Sequence, residues 1–314
     1  MKKVIFIESV HEILHERLST LGFQCENRYD NSRDEILSLM HEFEGLVLRS
    51  RIQVDKAFLE ASPNLKFIAR SGSGLENIDV KEAELRGIKV FSSPEGNRDA
   101  VGEHAIAMLL MLFNNLKRAD TEVRNNIWRR EENRGLELKG KTVAIIGYGV
   151  MGSGLAEKLS GFGCRILAHD LYKSGFANNQ VEEVNLKVIF DEADIVSLHL
   201  PLTSETIHYA NGDFFSRFKK NIYLINTARG KNVNTADLAE SLRSGKVAGA
   251  CLDVLEHEKS SLEGLENTSP DLVYLQQAEN VILTPHIAGW THESYYKLSG
   301  VLADKIELWL NQKV

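Results

Sequence analysis

The stretch Thr142-Val143-Ala144-Ile145-Ile146-Gly147-Tyr148-Gly149-Val150-Met151-Gly152 decides the fold. A β-rich apolar run leads straight into G-x-G-x-x-G, and a helical period follows through Leu155–Leu159. Gly147 permits the tight turn, Gly149 lets the backbone approach a pyrophosphate, and Gly152 allows a helix to pack closely on a strand. Val150 and Met151 then open a helix whose N-terminus faces the phosphates. The next apolar run, Cys164–His169, ends in Asp170, where a carboxylate can bind adenosine ribose hydroxyls and would repel a 2′-phosphate. The pattern predicts a site for NAD rather than NADP.

Outward from this unit, β-rich runs at Thr142–Ile146, Arg165–His169, Ile195–Leu200, Ile222–Asn226, Ala248–Asp253 and Val281–Thr284 predict a six-stranded, doubly wound parallel sheet. Upstream, shorter runs at Lys3–Glu8, Gln24–Arg28, Gly45–Leu48, Lys66–Ala69 and Lys89–Phe91 alternate with helical stretches at His11–Leu21, Arg33–Glu42, Asp55–Ala61 and Val80–Arg86. These read as a smaller, flavodoxin-like α/β unit. Between the two lies a long helical pattern from Ala100 to about Asn125, whose apolar run Ala105–Phe113 predicts a largely buried helix at a domain junction or subunit interface. Glu256–Asn280 reads as a long acidic loop. Thr291–Gln312 is helical in period, and periodicity leaves open which domain it joins.

At 314 residues and 43% hydrophobic, the chain has material for two cores. Its 37 basic and 44 acidic residues leave a net charge of −7 without a basic run, which argues against nucleic acid and anionic membrane as partners. Glu8 interrupts the opening apolar run too early for a signal peptide, and no stretch approaches the roughly 20 apolar residues of a membrane span. Cys25, Cys164 and Cys251 are odd in number and scattered, so they read as reduced thiols of a cytoplasmic protein.

Three polar residues stand where later strands end. Arg229, after Ile225-Asn226-Thr227-Ala228, carries a planar guanidinium suited to a carboxylate; on residue type alone it is equally a surface arginine. His286, in Thr284-Pro285-His286-Ile287-Ala288-Gly289, has a proton exchangeable near neutral pH, though a core histidine would look the same. Glu258 offers a carboxylate that would favour the charged imidazole. The sequence presents no ligand set for a metal.

Taken together, Gly147–Gly152 with Asp170, His199-Leu200-Pro201-Leu202-Thr203, Asn226-Thr227-Ala228-Arg229-Gly230, Leu252-Asp253-Val254 with Glu258, and Thr284-Pro285-His286 resemble the D-isomer-specific 2-hydroxyacid dehydrogenase family in order and spacing. The front of the chain joins through Ser71-Gly72-Ser73-Gly74-Leu75-Glu76-Asn77-Ile78-Asp79 and through Asn97 and Glu103. The resemblance implies a substrate domain of residues 1–98 and 288–314 and a Rossmann NAD-binding domain of residues 99–287. It implies that Arg229 holds the substrate carboxylate and polarises its 2-oxo group, and that His286, paired with Glu258, passes a proton to or from that oxygen. Asp253 would fix the nicotinamide carboxamide, while Thr227, Ala228, Gly289 and the turn of His199, Pro201 and Thr203 would line the cofactor. The backbone of Ser73 and Gly74 would take the other side of the carboxylate. Hinges near Asn97–Ala100 and His286–Trp290, and a homodimer interface from Ala100 through Trp128, are implied as well.

Two departures stand out. The family usually follows its catalytic Glu with Pro, whereas this chain has Glu258-Lys259 and a second acid at Glu256; the interval from Asp253 favours Glu258. Trp290 replaces a small residue, and an indole there would narrow the pocket or meet a partner subunit. Arg49 and Ser50, in Leu48-Arg49-Ser50-Arg51, resemble the phosphoglycerate dehydrogenase branch, where the matching pair touches the substrate, and Asn97 is consistent with it. That resemblance implies oxidation of 3-phosphoglycerate at the entry to serine synthesis, without the C-terminal regulatory domain of longer members. The alternatives are a glyoxylate or hydroxypyruvate reductase and, from another class, an NAD(H)-sensing corepressor-like binding protein.

Overall fold

The computed structural model describes residues 2–259, 264–265 and 269–312. Among them the chain forms two compact units, one of residues 2–97 and 290–312, the other of residues 98–259, 264–265 and 269–289.

The first unit runs β1 (Lys2–Phe6), α1 (Glu12–Thr20), β2 (Phe23–Asn27), α2 (Arg33–Leu39), β3 (Gly45–Leu48), α3 (Lys56–Glu60), β4 (Phe67–Arg70), α4 (Val80–Leu85) and β5 (Lys89–Ser92). The strands form a parallel sheet in the order β2-β1-β3-β4-β5, the flavodoxin-like winding. Strand alternation sends Ile5 and Ile7 to one face and Val4 and Phe6 to the other, so each face packs its own apolar cluster. Side-chain caps start the helices: Ser32 and Glu35 make a reciprocal capping box on α2, and the Asp55 and Asp79 carboxylates accept from the first turns of α3 and α4.

Two helices follow, α5 (Pro94–Phe113) and α6 (Leu116–Arg124). The single helix expected from Ala100 to about Asn125 is corrected on both counts. It starts earlier, at Pro94, whose fixed φ suits a first turn, and it breaks at Asn115, which takes a left-handed φ of 52°. None of the α6 side chains is buried.

The second unit continues with β6 (Thr142–Ile146), α7 (Val150–Leu159), β7 (Arg165–His169), β8 (Val181–Glu183), α8 (Leu186–Glu192), β9 (Ile195–Leu198), α9 (Gly212–Ser216), β10 (Ile222–Asn226), α10 (Thr235–Arg243), β11 (Val247–Leu252), α11 (Pro270–Gln277) and β12 (Val281–Leu283). Its parallel sheet has the order β12-β11-β10-β9-β6-β7-β8, the doubly wound dinucleotide-binding arrangement with one strand added. The added strand, β8, corrects the expected six to seven; at three residues, two of them exposed, it carries almost no periodic signal. The acidic loop expected over Glu256–Asn280 is also corrected in part, because α11 lies within it. Ser269 caps that helix, Pro270 opens it and Asp271 sits in its first turn, three start signals that the sequence contains. The remainder of that expectation falls partly on residues 260–263 and 266–268, which lie outside the described residues.

The last helix, α12 (His292–Asn311), starts at a capping box of Thr291 and Ser294. It belongs to the first unit: Leu302, Ala303 and Ile306 join Val4, Phe6, Leu14 and Leu18 in one cluster, and Arg17 reaches Asp304 at 2.6 Å and Glu307 at 2.5 Å. Among the described residues no helix is long and apolar enough to cross a membrane, and all three cysteines are free thiols.

Candidate active site

The three glycines after β6 do different work. Gly147 has φ +94°, and a Cβ there would lie 2.4 Å from the His199 carbonyl oxygen. At Gly152 a Cβ would meet the Gly147 carbonyl at 2.1 Å, so only glycine lets α7 approach the strand. A Cβ on Gly149 would meet nothing within 4 Å; the backbone there borders open space. Gly149 is also the N-cap of α7 and caps it with no side chain, so the first N–H groups at Val150 and Met151 stay available to an anion.

Asp170 follows β7. Its Oδ2 accepts from the Tyr148 amide at 2.8 Å and its Oδ1 from the amides of Tyr172 and Lys173 at 2.9 and 3.0 Å. Burial raises its pKa, but the three N–H donors outweigh burial and hold the carboxyl below its ordinary value. After β9, His199 donates its amide to the Ile146 carbonyl and pairs Nε2 with Ser197 Oγ at 2.8 Å. Burial lowers its pKa to about 4, so the ring is neutral. Pro201 and Thr203 lie in a turn closed by Thr206, whose Oγ1 donates to the Pro201 carbonyl and accepts from the Thr203 amide. Ala228 is buried beside Thr227. The His199 Nδ1 and Thr227 Oγ1 atoms are buried and have no partner among the described residues. An open backbone, an uncapped helix start, an ionised carboxylate and two orphaned polar atoms fit a dinucleotide's phosphates, ribose and amide.

Strands β10, β11 and β12 are neighbours in the sheet, and the turns at their C-terminal ends carry Arg229, Glu258 and His286. His286 Nδ1 lies 2.9 Å from Glu258 Oε2, and it is Glu258, not Glu256, that meets the imidazole. The backbone at His286 is left-handed, with φ 56°, a conformation that a residue with a Cβ holds only under constraint. The constraint comes from Asp253, which is almost wholly buried. Its main-chain oxygen accepts the His286 amide at 2.7 Å, and its carboxylate accepts the amides of Ile287 and Ala288 at 2.8 and 2.9 Å and the Thr284 hydroxyl at 2.6 Å. Asp253 therefore shapes the histidine turn, a duty that stands beside the carboxamide contact implied by resemblance. Gly289 ends the same turn.

Arg229 sits in a turn tied by Asn226, whose side chain accepts from the Ala228 amide and donates to the Arg229 carbonyl. Gly230 brings this turn against the Glu258 turn: a Cβ there would lie 1.9 Å from the Leu255 carbonyl oxygen. The three residues thus stand on adjacent, interlocked turns.

The residues expected to contact substrate from the first unit also follow neighbouring strands. Glu8, just after β1, gathers the amides of Arg49, Ser50 and Arg51 at 2.6, 3.1 and 3.2 Å. Arg51 is committed to the Ile7 and Asn31 carbonyls. Arg49 instead lays its guanidinium over the Trp290 ring, 4.1 Å from the centroid, with no hydrogen bond or ion pair to a described residue. Burial lowers its pKa against the opposing pull of Glu8 and Tyr295, and an arginine remains charged all the same. Ser73 Oγ donates to Asn97 Oδ1 at 2.8 Å, joining the loop after β4 to the first turn of α5; Gly74 next to it is buried.

Sequence reasoning missed Glu8, His104 and His208. Glu8 served only as evidence against a signal peptide. His104 Nε2, on α5, lies 3.0 Å from Thr284 Oγ1 and 3.5 Å from Asp253 Oδ1. None of these contacts is local, so no spacing rule marks them.

A model of the D-isomer specific 2-hydroxyacid dehydrogenase NAD binding domain matches residues 106–288. The D-3-phosphoglycerate dehydrogenase of Archaeoglobus fulgidus is 34% identical over 309 residues, 97% of this chain and 56% of that protein. The hydroxypyruvate reductase of Thermotoga maritima is 36% identical over 274 residues, 87% of each. Among solved structures, the D-lactate dehydrogenase from Aquifex aeolicus complexed with NAD and lactic acid superposes with a TM-score of 0.82 at 28% identity, covering 99% of this chain and 96% of that one. This chain spans about half the length of several curated relatives it matches.

Proposed function

The chain belongs to the D-isomer specific 2-hydroxyacid dehydrogenase family, with its NAD-binding domain at residues 106–288, and on that premise we propose that it interconverts a small 2-hydroxy acid and its 2-oxo acid with NAD, 3-phosphoglycerate being the substrate that fits best. The observation that carries the reaction is the His286–Glu258 pair, 2.9 Å apart, on a turn adjoining that of Arg229. Bound NAD supplies the hydride acceptor, and NADH the donor. The chain's own residues do the rest. Arg229 holds the substrate carboxylate by two parallel hydrogen bonds and draws electron density from the 2-oxo group. A proton on His286 Nδ1 donated to Glu258 leaves Nε2 to give a proton to the substrate oxygen in reduction and take it back in oxidation. Glu258 steadies the charged ring between those steps.

The Arg49 guanidinium supports the phosphorylated substrate. It is a charged donor with one face on Trp290 and, among the described residues, no partner on its N–H edge, which suits a dianion. The reading is tested by following NADH absorbance with 3-phosphohydroxypyruvate, hydroxypyruvate, glyoxylate, 2-oxoglutarate and pyruvate, each with NADH and NADPH. Preference for the phosphorylated acid with NADH is expected. Arg49→Ala then raises the KM for that acid roughly 10- to 100-fold, the worth of a hydrogen-bonded charge, and leaves glyoxylate unaffected. Equal losses on both overturn the clamp. Hydroxypyruvate reduction is the second reading, favoured by the match over 87% of both chains to a protein named for it.

We also place the protein in the cytoplasm as a homodimer that uses α6 and the segment through Trp128. Leu116, Val123, Ile127 and Trp128 are exposed there, supporting a self-contact. Sedimentation of wild type against Trp128→Glu checks it: a shift toward monomer is expected.

A further inference from the structure

We propose that His208 is a positioning residue that couples the turn carrying Arg229 to the turn carrying Glu258. The inference rests on the catalytic reading of those two residues. His208 lies after β9, far in sequence from both. Its amide donates to the Lys231 carbonyl at 2.7 Å, two residues beyond Arg229. Its Nε2 lies 2.6 Å from Glu256 Oε1, two residues before Glu258. One residue therefore holds both turns, by its backbone on one side and its side chain on the other.

Three further observations support this role. The second oxygen of Glu256 accepts the Thr235 amide at 2.8 Å, so its carboxylate is clamped from two directions and cannot swing without releasing one donor. Burial raises the Glu256 pKa, yet Thr235 and His208 together hold it below its ordinary value, so the group stays charged at neutral pH. Among the described residues, four other than glycine have left-handed backbone: Asn115, Asn126, His208 and His286. Left-handed backbone is uncommon for any residue other than glycine, though asparagine and histidine enter it more often than most; of the two histidines here, one is the proposed acid/base. Strain of this kind persists where the surroundings over-determine it, which is what a residue clamped at both ends requires.

The consequence concerns geometry, not binding. Glu258 reaches His286 only if the 254–258 turn keeps its shape; Leu255 and Glu258 bond to each other within that turn, and Glu256 anchors it to the rest of the unit. Loosening the anchor misplaces the carboxylate that orients the imidazole, while the dinucleotide turn after β6 is untouched.

The test uses His208→Gly, which keeps the amide, relieves the left-handed strain and removes only the imidazole. The expected result is a fall in kcat of roughly 10- to 100-fold, as for a catalytic group displaced by about 1 Å. KM for NADH and the melting temperature stay at wild-type values. His208→Arg, which restores an N–H donor to Glu256, regains most of the lost kcat. A second readout is independent of turnover: the His286 Nδ1 proton, observed by NMR in ring-15N-labelled protein, exchanges faster with water in His208→Gly and recovers in His208→Arg. Unchanged kcat and an unchanged His286 signal in His208→Gly overturn the proposal. So does loss of kcat and melting temperature together without rescue by arginine, which would mark a merely structural residue. If the wild type turns over none of the oxo acids, the catalytic reading fails, and the His286 signal still decides whether His208 sets the turn.

Discussion

The turn after β3 in the first unit and the turns after β11 and β12 in the second are organised in the same way but display different things. In each, a carboxylate from elsewhere in the chain collects backbone amides: Glu8 takes three from Arg49–Arg51, and Asp253 takes those of Ile287 and Ala288. Parallel strands end with N–H groups that no neighbour satisfies, and an ionised oxygen is the strongest acceptor available to them. The difference lies in the side chain presented. The second unit presents a histidine paired with a carboxylate at 2.9 Å, a group equipped to move a proton. The first presents an arginine stacked on an indole, a group that holds charge and exchanges no proton. One turn presents a group that can move a proton and the other a group that can hold an anion.

That division can be broken at four points. The largest effect is expected from His286→Ala, which should lower kcat by roughly 10² to 10⁴ while leaving the NADH dissociation constant within about twofold, read by fluorescence titration. Intact turnover would mean that the proton donor lies elsewhere. Next, Glu8→Ala leaves three amides of the β3 turn without their acceptor and should lower stability to urea by about 1–3 kcal/mol, with kcat for glyoxylate little changed. A fall in glyoxylate turnover as large as that of His286→Ala would erase the distinction between the two turns.

The third is a pH effect confined to the second unit. Folded His199 titrates at about 4, below its ordinary 6.5, because it is buried. On acidification the unfolded chain takes up this proton first. Stability is therefore fully present above pH 6.5 and is lost progressively as pH falls toward 4, by about 3 kcal/mol at most. Chemical unfolding of wild type and His199→Asn across that range should show the slope in the former and its absence in the latter. The smallest effect belongs to Trp290→Ala. Loss of the stack on Arg49 removes about 0.5–1 kcal/mol, so the KM for the phosphorylated acid should rise roughly two- to fivefold. A larger rise would show that the indole itself meets the substrate.

Much of the molecule was legible in the sequence because its signals are local. G-x-G-x-x-G after an apolar run specified a strand, a turn and a helix within a few residues, and the five strands of the first unit lie within two residues of where alternation predicts them. The same approach failed at β8, at the break in the helix pattern at Asn115 and at α11. The first is too short to show a period. At the second, Asn114-Asn115 interrupts the pattern with a left-handed residue whose cost only surrounding packing offsets. At the third, Ser269-Pro270-Asp271 was readable as a helix start and was outweighed by the acidic run before it.

The candidate site divides along the same line. Arg229, Glu258 and His286 were candidates because they stand at strand ends, a local feature, and the order and spacing shared with the family singled them out. The interval from Asp253 favoured Glu258 over Glu256 as the partner of His286, and the folded turn brings Glu258 there. What Glu256 meets is another matter, since only the fold brings His208 to it. Likewise strand geometry did not separate Arg49 from Arg51, yet Arg51 is tied to backbone carbonyls and Arg49 lies over Trp290, from the far end of the chain. By itself the sequence determined the two α/β windings and the dinucleotide turn, since each follows from short-range periodicity and glycine sterics, while the candidate reactive residues followed from the family resemblance. Only the tertiary structure decided the pairings, because a carboxylate or guanidinium takes the partner that the folded chain brings within about 3 Å, and that distance depends on residues tens to hundreds of positions away.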